Sequence, residues 1–153
     1  MPNDMKRIMG IDYGSARIGI ALSDELQVLA HPAETITLGK GIDPIARVAR
    51  LVEEKNVERI IVGLPRHMNG TRGESAAKAQ AFAEELRARV SCEVQTWDER
   101  LSTVASHRSL RDAGKRSRQT REYIDQVAAQ LVLQSYLDSL ELKRSGAAPE
   151  FGA

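Results

Sequence analysis

The first part of the chain alternates short apolar runs with turn-forming residues. Extended segments are predicted in RIMGID, RIGIALSD and QVLAHPAETITL, and Pro32 marks a bend or a sheet edge in the third of them. Because short turns join these segments, the pattern indicates an antiparallel meander of two or three strands.

Helical spacing begins after Asp43, a favourable N-cap residue that is followed by Pro44 at the first helical position. The next apolar residues recur at i, i+3, i+4 and i+7, as one face of a helix requires. They are Ile45, Val48, Ala49 and Val52. Further helices are predicted over residues 74–89, more weakly over 101–114, and over about 120–140.

Two later segments, VERIIVGLP and CEVQTWDE, are predicted strands that alternate with these helices. The resulting order β-β-β-α-β-α-β-α-α predicts a mixed α/β fold, in which helical crossovers make the later strands parallel. A chain of 153 residues can form one domain with its own core. We therefore expect a single domain over residues 1–140 and a disordered tail over residues 141–153.

Composition narrows the class of protein without identifying it. Hydrophobic residues make up 42% and charged residues 28% of the chain, and the net charge of +1 gives no overall sign of nucleic-acid binding. The lone Cys92 excludes an intrachain disulfide, fits a reducing compartment, and is expected to be a small core residue. Because there is no signal-peptide pattern and no apolar stretch near the ~18 residues of a membrane span, we expect a cytoplasmic protein with no membrane partner.

Three acids occupy positions that are otherwise apolar. Asp12 ends the first predicted strand, Glu99 follows Asp98 at the end of the last strand, and Asp125 lies in a largely apolar helix. We expect both strands to be central and parallel, so that these acids converge at one edge of the sheet. Carboxylates are ligands that Mg²⁺ and Mn²⁺ prefer, and such ions can support hydrolysis of a phosphodiester.

Each acid also has a simpler explanation. A single Asp at the end of a strand is commonly a turn residue or a cap. An Asp in a buried helix is commonly paired with a basic side chain, for which Arg100 and Arg121 are candidates. The metal hypothesis therefore depends on the three acids together.

Four segments, in this order and spacing, resemble the YqgF (RuvX-like) family of bacterial pre-16S rRNA nucleases and Holliday-junction-resolvase-like proteins. They are GIDYGSARIGIALSD, IIVGLPRHMNGT, TWDERLST and IDQVAAQLVLQSYLD. The resemblance covers about residues 6–140. It implies an RNase H-like fold with a mixed five-stranded sheet, antiparallel in its first three strands and then parallel, flanked by helices.

The resemblance also implies a metal-dependent nuclease that uses Mg²⁺ or Mn²⁺. Asp12, Glu99 and Asp125 match the acidic positions of the family and are the implied catalytic and metal-binding residues. The implied substrate is structured nucleic acid: the 5′ end of pre-16S rRNA, which we expect, or branched DNA, which would require a homodimer rather than a monomer. His67 departs from the Asn that is common in the family, so the contact made by the loop PRHMNGT can differ.

Basic residues near the predicted site are candidates for contacts to nucleic-acid phosphates. Most of them lie in the segment HRSLRDAGKRSRQTR, although a solvated charged loop would have the same composition. The candidate nucleic-acid-binding residues are Arg17, Arg66, Arg72, Arg100, Lys115, Arg116, Arg118 and Arg121. Trp97 is expected to lie in the core rather than to stack on bases.

Two other classes of function compete with a nuclease. The Asp-x-Gly turn followed by a hairpin resembles the phosphate loop of actin-like kinases, but those proteins need two such domains and lack equivalents of Glu99 and Asp125. The second class is a non-catalytic nucleic-acid-binding module. Such a module could lose one of the three acids without losing its fold, because buried unpaired carboxylates are unfavourable, so the retention of all three favours the nuclease.

Overall fold

A computed structural model describes residues 6–65, 73–99 and 118–146. Five strands and three helices lie in these ranges. The strands are β1 (Arg7–Tyr13), β2 (Arg17–Ser23), β3 (Ala30–Thr37), β4 (Val57–Leu64) and β5 (Glu93–Asp98). The helices are α1 (Pro44–Glu54), α2 (Glu74–Arg89) and α3 (Arg118–Arg144).

The strands form one mixed sheet in the order β3-β2-β1-β4-β5. β1 pairs antiparallel with β2, and β2 with β3, whereas β4 runs parallel to both β1 and β5. The predicted mixed sheet, antiparallel first and then parallel, is confirmed. The expectation that the first and last strands are both central is wrong for the last strand. β4, with its contiguous Ile60, Ile61 and Val62, pairs with β1, and the crossover through α2 places β5 at the edge of the sheet.

The local sequence explains where the helices begin. The side chain of Asp43 accepts hydrogen bonds from the main-chain N–H groups of Ile45 (3.0 Å) and Ala46 (3.3 Å), which confirms the predicted cap of α1. α2 has its predicted bounds. α3 is longer than predicted at both ends, so residues 141–144, assigned above to the tail, are helical. The weaker helix predicted over 101–114 lies outside the described residues.

The helices that the structure describes are not suited to a bilayer. Even α3, the longest of them, has no stretch that is long and apolar enough to cross a membrane.

The turn between β2 and β3 takes up residues that the pattern assigned to a strand. Asp24 accepts a hydrogen bond from the N–H of Val28 at 2.8 Å, and Gln27 has a positive φ of 59°. The chain therefore reverses over these residues, and β3 begins at Ala30.

The sheet separates two packed layers. α1 and α2 cover one side, which we call the aliphatic face, and α3 covers the other, which we call the α3 face. Large side chains fill the aliphatic face, including Met9, Ile11, Ile60, Val62, Phe82 and Leu86. On the α3 face, small helix residues such as Ala128 and Ala129 meet Ile8, Ala21 and Ile61 of the sheet.

Cys92 precedes β5 and packs partly against the cluster of the aliphatic face. Burial raises the pKa of its thiol, so the thiol stays protonated at neutral pH. This environment agrees with the small core residue that the sequence predicts.

Candidate functional site

Asp12 is a buried acid on a central strand. It is the penultimate residue of β1 and is 1% exposed. Asp12 lies in register with Gly19 of β2 on one side and with Gly63 of β4 on the other. Because these glycines face α3, Asp12 faces α3 as well, and neither neighbouring strand places a side chain beside it.

The same two glycines allow α3 to approach the sheet closely. A Cβ atom on Gly19 would lie 2.0 Å from the main-chain oxygen of Asp125, and one on Gly63 would lie 2.9 Å from Cγ2 of Val132. A larger residue at position 19 therefore requires the helix to move. The backbone of Asp125 thus lies directly over β2, one strand away from Asp12.

Arg17 of β2 holds the side chain of Asp125, a residue that is 3% exposed. Nε of Arg17 donates a hydrogen bond to Oδ2 of Asp125 at 2.5 Å. Arg17 lies two residues before Gly19 and therefore on the α3 face, nearer the carboxyl end of β1. A charge-assisted hydrogen bond to a buried carboxylate both offsets its charge and restricts its rotamer.

Contacts with β3 fix the position of α3 near Asp125. The hydroxyl of Thr35 donates to the main-chain oxygen of Glu122 at 2.7 Å and accepts from the side-chain amide of Gln126 at 3.0 Å. Both helix residues lie within one turn of Asp125, so β2 and β3 together position this acid.

Glu99 directly follows β5 and is 3% exposed. Trp97 lies in register with Gly63, which lies in register with Asp12, so the end of β5 is level with Asp12 across β4. The indole N–H of Trp97 donates to Oγ of Ser135 at 3.1 Å, which shows that Trp97 faces α3. Glu99 lies one residue beyond the strand, at the same end of the sheet as Asp12. The three predicted acids are therefore buried at one end of the sheet, and Asp12 and Asp125 lie on its α3 face.

The three acids suit a hard divalent cation in their chemistry. Carboxylate oxygens are the ligands of Mg²⁺ and Mn²⁺, and buried like charges are otherwise unfavourable. Over residues 6–65, 73–99 and 118–146, however, no three Asp, Glu, His or Cys side chains lie close enough together to hold a metal ion. The carboxylates are thus of the right chemical type for a divalent cation, but within these ranges they do not form a ligand cluster. Asp125 forms an ion pair with Arg17.

The other predicted site residues are only partly described. Arg17, predicted to contact nucleic acid, forms an ion pair with Asp125. Arg121 lies in α3 and is partly buried, and Arg118 is the first residue of that helix. The remaining candidates lie outside the described residues: Arg66, Arg72, Arg100, Lys115 and Arg116.

Trp97 was expected in the core, and the structure shows it partly buried at the border of the core. Its ring packs edge-on against Tyr136 with the centroids 5.3 Å apart, against the cluster beneath α3. Trp97 therefore serves as support for the end of β5 rather than as a surface for bases.

Sequence reasoning missed the two glycines beside Asp12 and the partner of Asp125. A glycine inside a strand pattern signals the close approach of another backbone, and both RIGIAL and IIVGLP carry one. The pairing of Arg17 had no such signal, because its partner lies 108 residues later in the chain.

Among solved structures, the chain is similar to Holliday junction resolvases. It matches RuvC of T. thermophilus in complex with Holliday junction substrate with a TM-score of 0.55 and 14% identity, over 89% of this chain and 96% of that chain. It matches the fowlpox virus Holliday junction resolvase with a TM-score of 0.51 and 14% identity, over 87% of this chain and 99% of that chain. At this identity the likeness concerns the fold alone, and it defines an RNase H-like fold of the resolvase type.

Sequence comparison identifies the family. The model of the family RuvX, described as Holliday junction resolvase, matches residues 6–139. The chain is 41% identical over 142 residues to a protein of Agathobacter rectalis, across 91% of this chain and 99% of that protein. It is 45% identical over 132 residues to a protein of Chloroflexus aggregans, across 86% of this chain and 93% of that protein. Both are named "Putative pre-16S rRNA nuclease". The chain belongs to the RuvX family, as its motifs indicated.

Proposed function

We propose that this protein is a metal-dependent nuclease that hydrolyses phosphodiester bonds in structured nucleic acid, with the 5′ end of pre-16S rRNA as its substrate. Membership of the family supports the nuclease class, and the name shared by the relatives supports the RNA substrate. The observation that supports the chemistry is the burial of Asp12, Glu99 and Asp125 at one end of the sheet.

In this proposal the carboxylates of Asp12, Glu99 and Asp125 would hold Mg²⁺ or Mn²⁺ through their oxygens. A cation bound there would activate a water and stabilise the leaving oxygen of the phosphodiester. β1 is paired on both sides and fixes Asp12, whereas Glu99 follows an edge strand and Asp125 lies on a helix. Their burial removes the carboxylates from bulk water, which strengthens their electrostatic hold on a cation.

A Holliday junction is the second candidate substrate. The description of the family and the fold shared with RuvC favour it. Symmetric cutting of a four-way junction requires two active sites and therefore a homodimer, whereas trimming of an RNA end requires one site. The two candidates thus differ in the oligomeric state as well as in the product.

The test is a cleavage assay on a labelled pre-16S 5′ fragment and a labelled four-way DNA junction, each with Mg²⁺, Mn²⁺ or a chelator. Glu99→Gln removes the charge of a proposed ligand and keeps its shape. Glu93→Gln is the matched control, because Glu93 begins the same strand and pairs with Arg59 at the opposite end of β5. We expect the wild type and the control to cut the RNA with either metal, and Glu99→Gln to lose this activity.

Other outcomes of this assay are equally informative. Paired symmetric nicks in the junction, lost in the same variant, would assign the activity to branched DNA. No metal-dependent cutting of either substrate would contradict the nuclease and favour a binding module. Full activity of Glu99→Gln would remove Glu99 from the site.

We further propose that the basic segment before α3 binds phosphates beside the acids, since α3 carries Asp125. Replacing Lys115, Arg116 and Arg118 with Ala should reduce the steepness of the slope of log affinity against log salt by up to about 2–3. Each phosphate contact contributes about 0.7–0.9 to this slope. Fluorescence anisotropy with uncleaved RNA at several salt concentrations measures this slope.

A control for this triple variant removes the same amount of charge elsewhere. Arg50, Lys55 and Arg89 lie on exposed positions of α1 and α2 or at their ends, on the other side of the sheet from α3. Replacing them with Ala should leave the salt slope near that of the wild type. Equal slopes for both triple variants would show that the basic segment does not touch phosphate.

A further inference from the structure

Arg17 and Asp125 form an ion pair inside the site proposed for the metal. The Nε–Oδ2 distance is 2.5 Å, and the two side chains are 24% and 4% exposed. One oxygen of this acid is therefore engaged by a cation that the chain itself supplies. The sequence had suggested nucleic acid as the partner of Arg17.

We propose that Arg17 is a positioning residue that acts as a built-in counter-cation for Asp125. It offsets the charge of the carboxylate and holds it in place while the metal is absent, and it yields that carboxylate when a divalent cation binds. The inference rests on the proposed function, because it requires a metal at Asp125.

The surroundings of the pair support such an exchange. The backbone of Asp125 is fixed against Gly19, and Thr35 holds the adjacent turn of α3, so the helix stays in place when the side-chain pair opens. Arg17 is the more exposed member of the pair. Its long side chain can therefore move its charged end into water without uncovering the core.

Electrostatics predicts that the charge of Arg17 has opposite effects on the stability of the metal-free protein and on its affinity for a divalent cation. A buried carboxylate is unfavourable without a positive charge beside it, so the guanidinium of Arg17 next to Asp125 stabilises the metal-free protein. The same charge repels an arriving divalent cation and so weakens its binding. Removal of Arg17 should thus lower the stability of the protein and raise its affinity for the metal. Loss of a purely structural residue would lower both the stability and the affinity.

The experiment measures thermal unfolding in EDTA and the Kd for Mn²⁺ by calorimetry, without any cleavage assay. We expect Arg17→Gln to lower Tm by about 5 °C and to bind Mn²⁺ about tenfold more tightly. Arg17→Lys keeps the charge and should stay within about threefold of the wild-type Kd.

The matched control is Arg47→Gln. Arg47 pairs with Glu34 at 2.7 Å, at an exposure similar to that of Arg17 and away from the three acids. This variant should lower Tm without changing the Kd for Mn²⁺. A changed Kd in the control would mean that loss of any ion pair alters metal binding, and it would overturn the proposal.

A second variant guards against poor folding of Arg17→Gln. Adding Asp125→Asn removes the carboxylate that Arg17 offsets, so the double variant should recover Tm, and a failure to recover would overturn the proposal. Unchanged or weaker Mn²⁺ binding by Arg17→Gln, with normal binding by the wild type, would overturn it as well. A wild type that binds no Mn²⁺ would instead contradict the proposed metal site itself, and the inference with it.

Discussion

The two faces of the sheet are packed in different ways by the same strands. On the aliphatic face, Met9 and Ile11 of β1 and Ile60 and Val62 of β4 fill the space beneath α1 and α2 with large side chains. On the α3 face, next to Asp12, the sheet presents glycines. The backbone of α3 fills the space at Gly19, and the side chain of Val132 fills it at Gly63.

This difference separates stability from function within one sheet. Buried aliphatic side chains stabilise the fold in proportion to the apolar area they remove from water. The α3 face gives up part of that burial beside Asp12, and it places charged groups there, including the pair of Arg17 and Asp125. Residues that burden stability in this way commonly mark functional sites.

The largest expected effect comes from removing the charge of Asp12, which lies on the central strand β1 and faces α3. Asp12→Asn should reduce the cleavage rate by more than about 100-fold, since even outer partners of metal ligands account for about 10–100-fold. Because asparagine keeps the size and shape of aspartate, the variant should still fold, as its Tm would show. Rates and Tm should be measured beside Asp138→Asn, which changes an exposed Asp of α3. Cleavage by Asp12→Asn at the wild-type rate would exclude Asp12 from the mechanism.

Adding one methyl group to the α3 face should have the next largest effect. Gly19→Ala places a Cβ atom against the main-chain oxygen of Asp125 and forces the helix to shift. We expect a loss of about 1–3 kcal/mol in the free energy of unfolding, as for other overpacked sites, together with reduced cleavage. Urea unfolding measures the first quantity. A variant as stable and active as the wild type would show that α3 does not depend on this close contact.

Removing one methyl group from the aliphatic face gives the matching comparison. Ile60→Val should reduce the free energy of unfolding by about 0.5–1.5 kcal/mol, because a small cavity remains in a filled core. The cleavage rate per folded molecule should not change. A loss of activity as large as that of Gly19→Ala would contradict the division of roles between the two faces.

The smallest expected effect concerns the thiol at the border of the aliphatic face. Burial raises the pKa of Cys92, so less thiolate is present at any given pH and alkylation is slow. Iodoacetamide should react with the native protein more slowly than with the unfolded protein in urea, and the native rate should continue to rise above pH 9. Equal native and unfolded rates would mean that Cys92 is not shielded.

The sequence predicted those features of the fold that depend on neighbouring residues. Asp43 and Pro44 give α1 its start, and the run of apolar residues through Ile60 and Ile61 identifies a buried strand. The position of β5 at the edge could not be read in this way, because it depends on which strand pairs with β1.

The same distinction holds for the candidate site. Asp12 and Glu99 could be placed at one end of the sheet because they lie at the ends of parallel strands, and the family motifs pointed to these two acids and to Asp125. The ion pair between Arg17 and Asp125 could not be predicted, because it depends on how α3 is placed on β2, and no local sequence pattern encodes this placement. The roles of the acids in metal binding and catalysis stay predictions until the variants are measured.

The packing of α3 on the first strands also bears on how the protein is made. β1, β2 and β3 are consecutive and can pair early, yet their α3 face is covered by the last of the described helices. Contacts between such distant parts of a chain form late in folding, and on the ribosome the N-terminal part emerges first. A nascent chain therefore carries Asp12 long before it carries Asp125, so the proposed nuclease cannot cut RNA near the ribosome until α3 has been synthesised and docked.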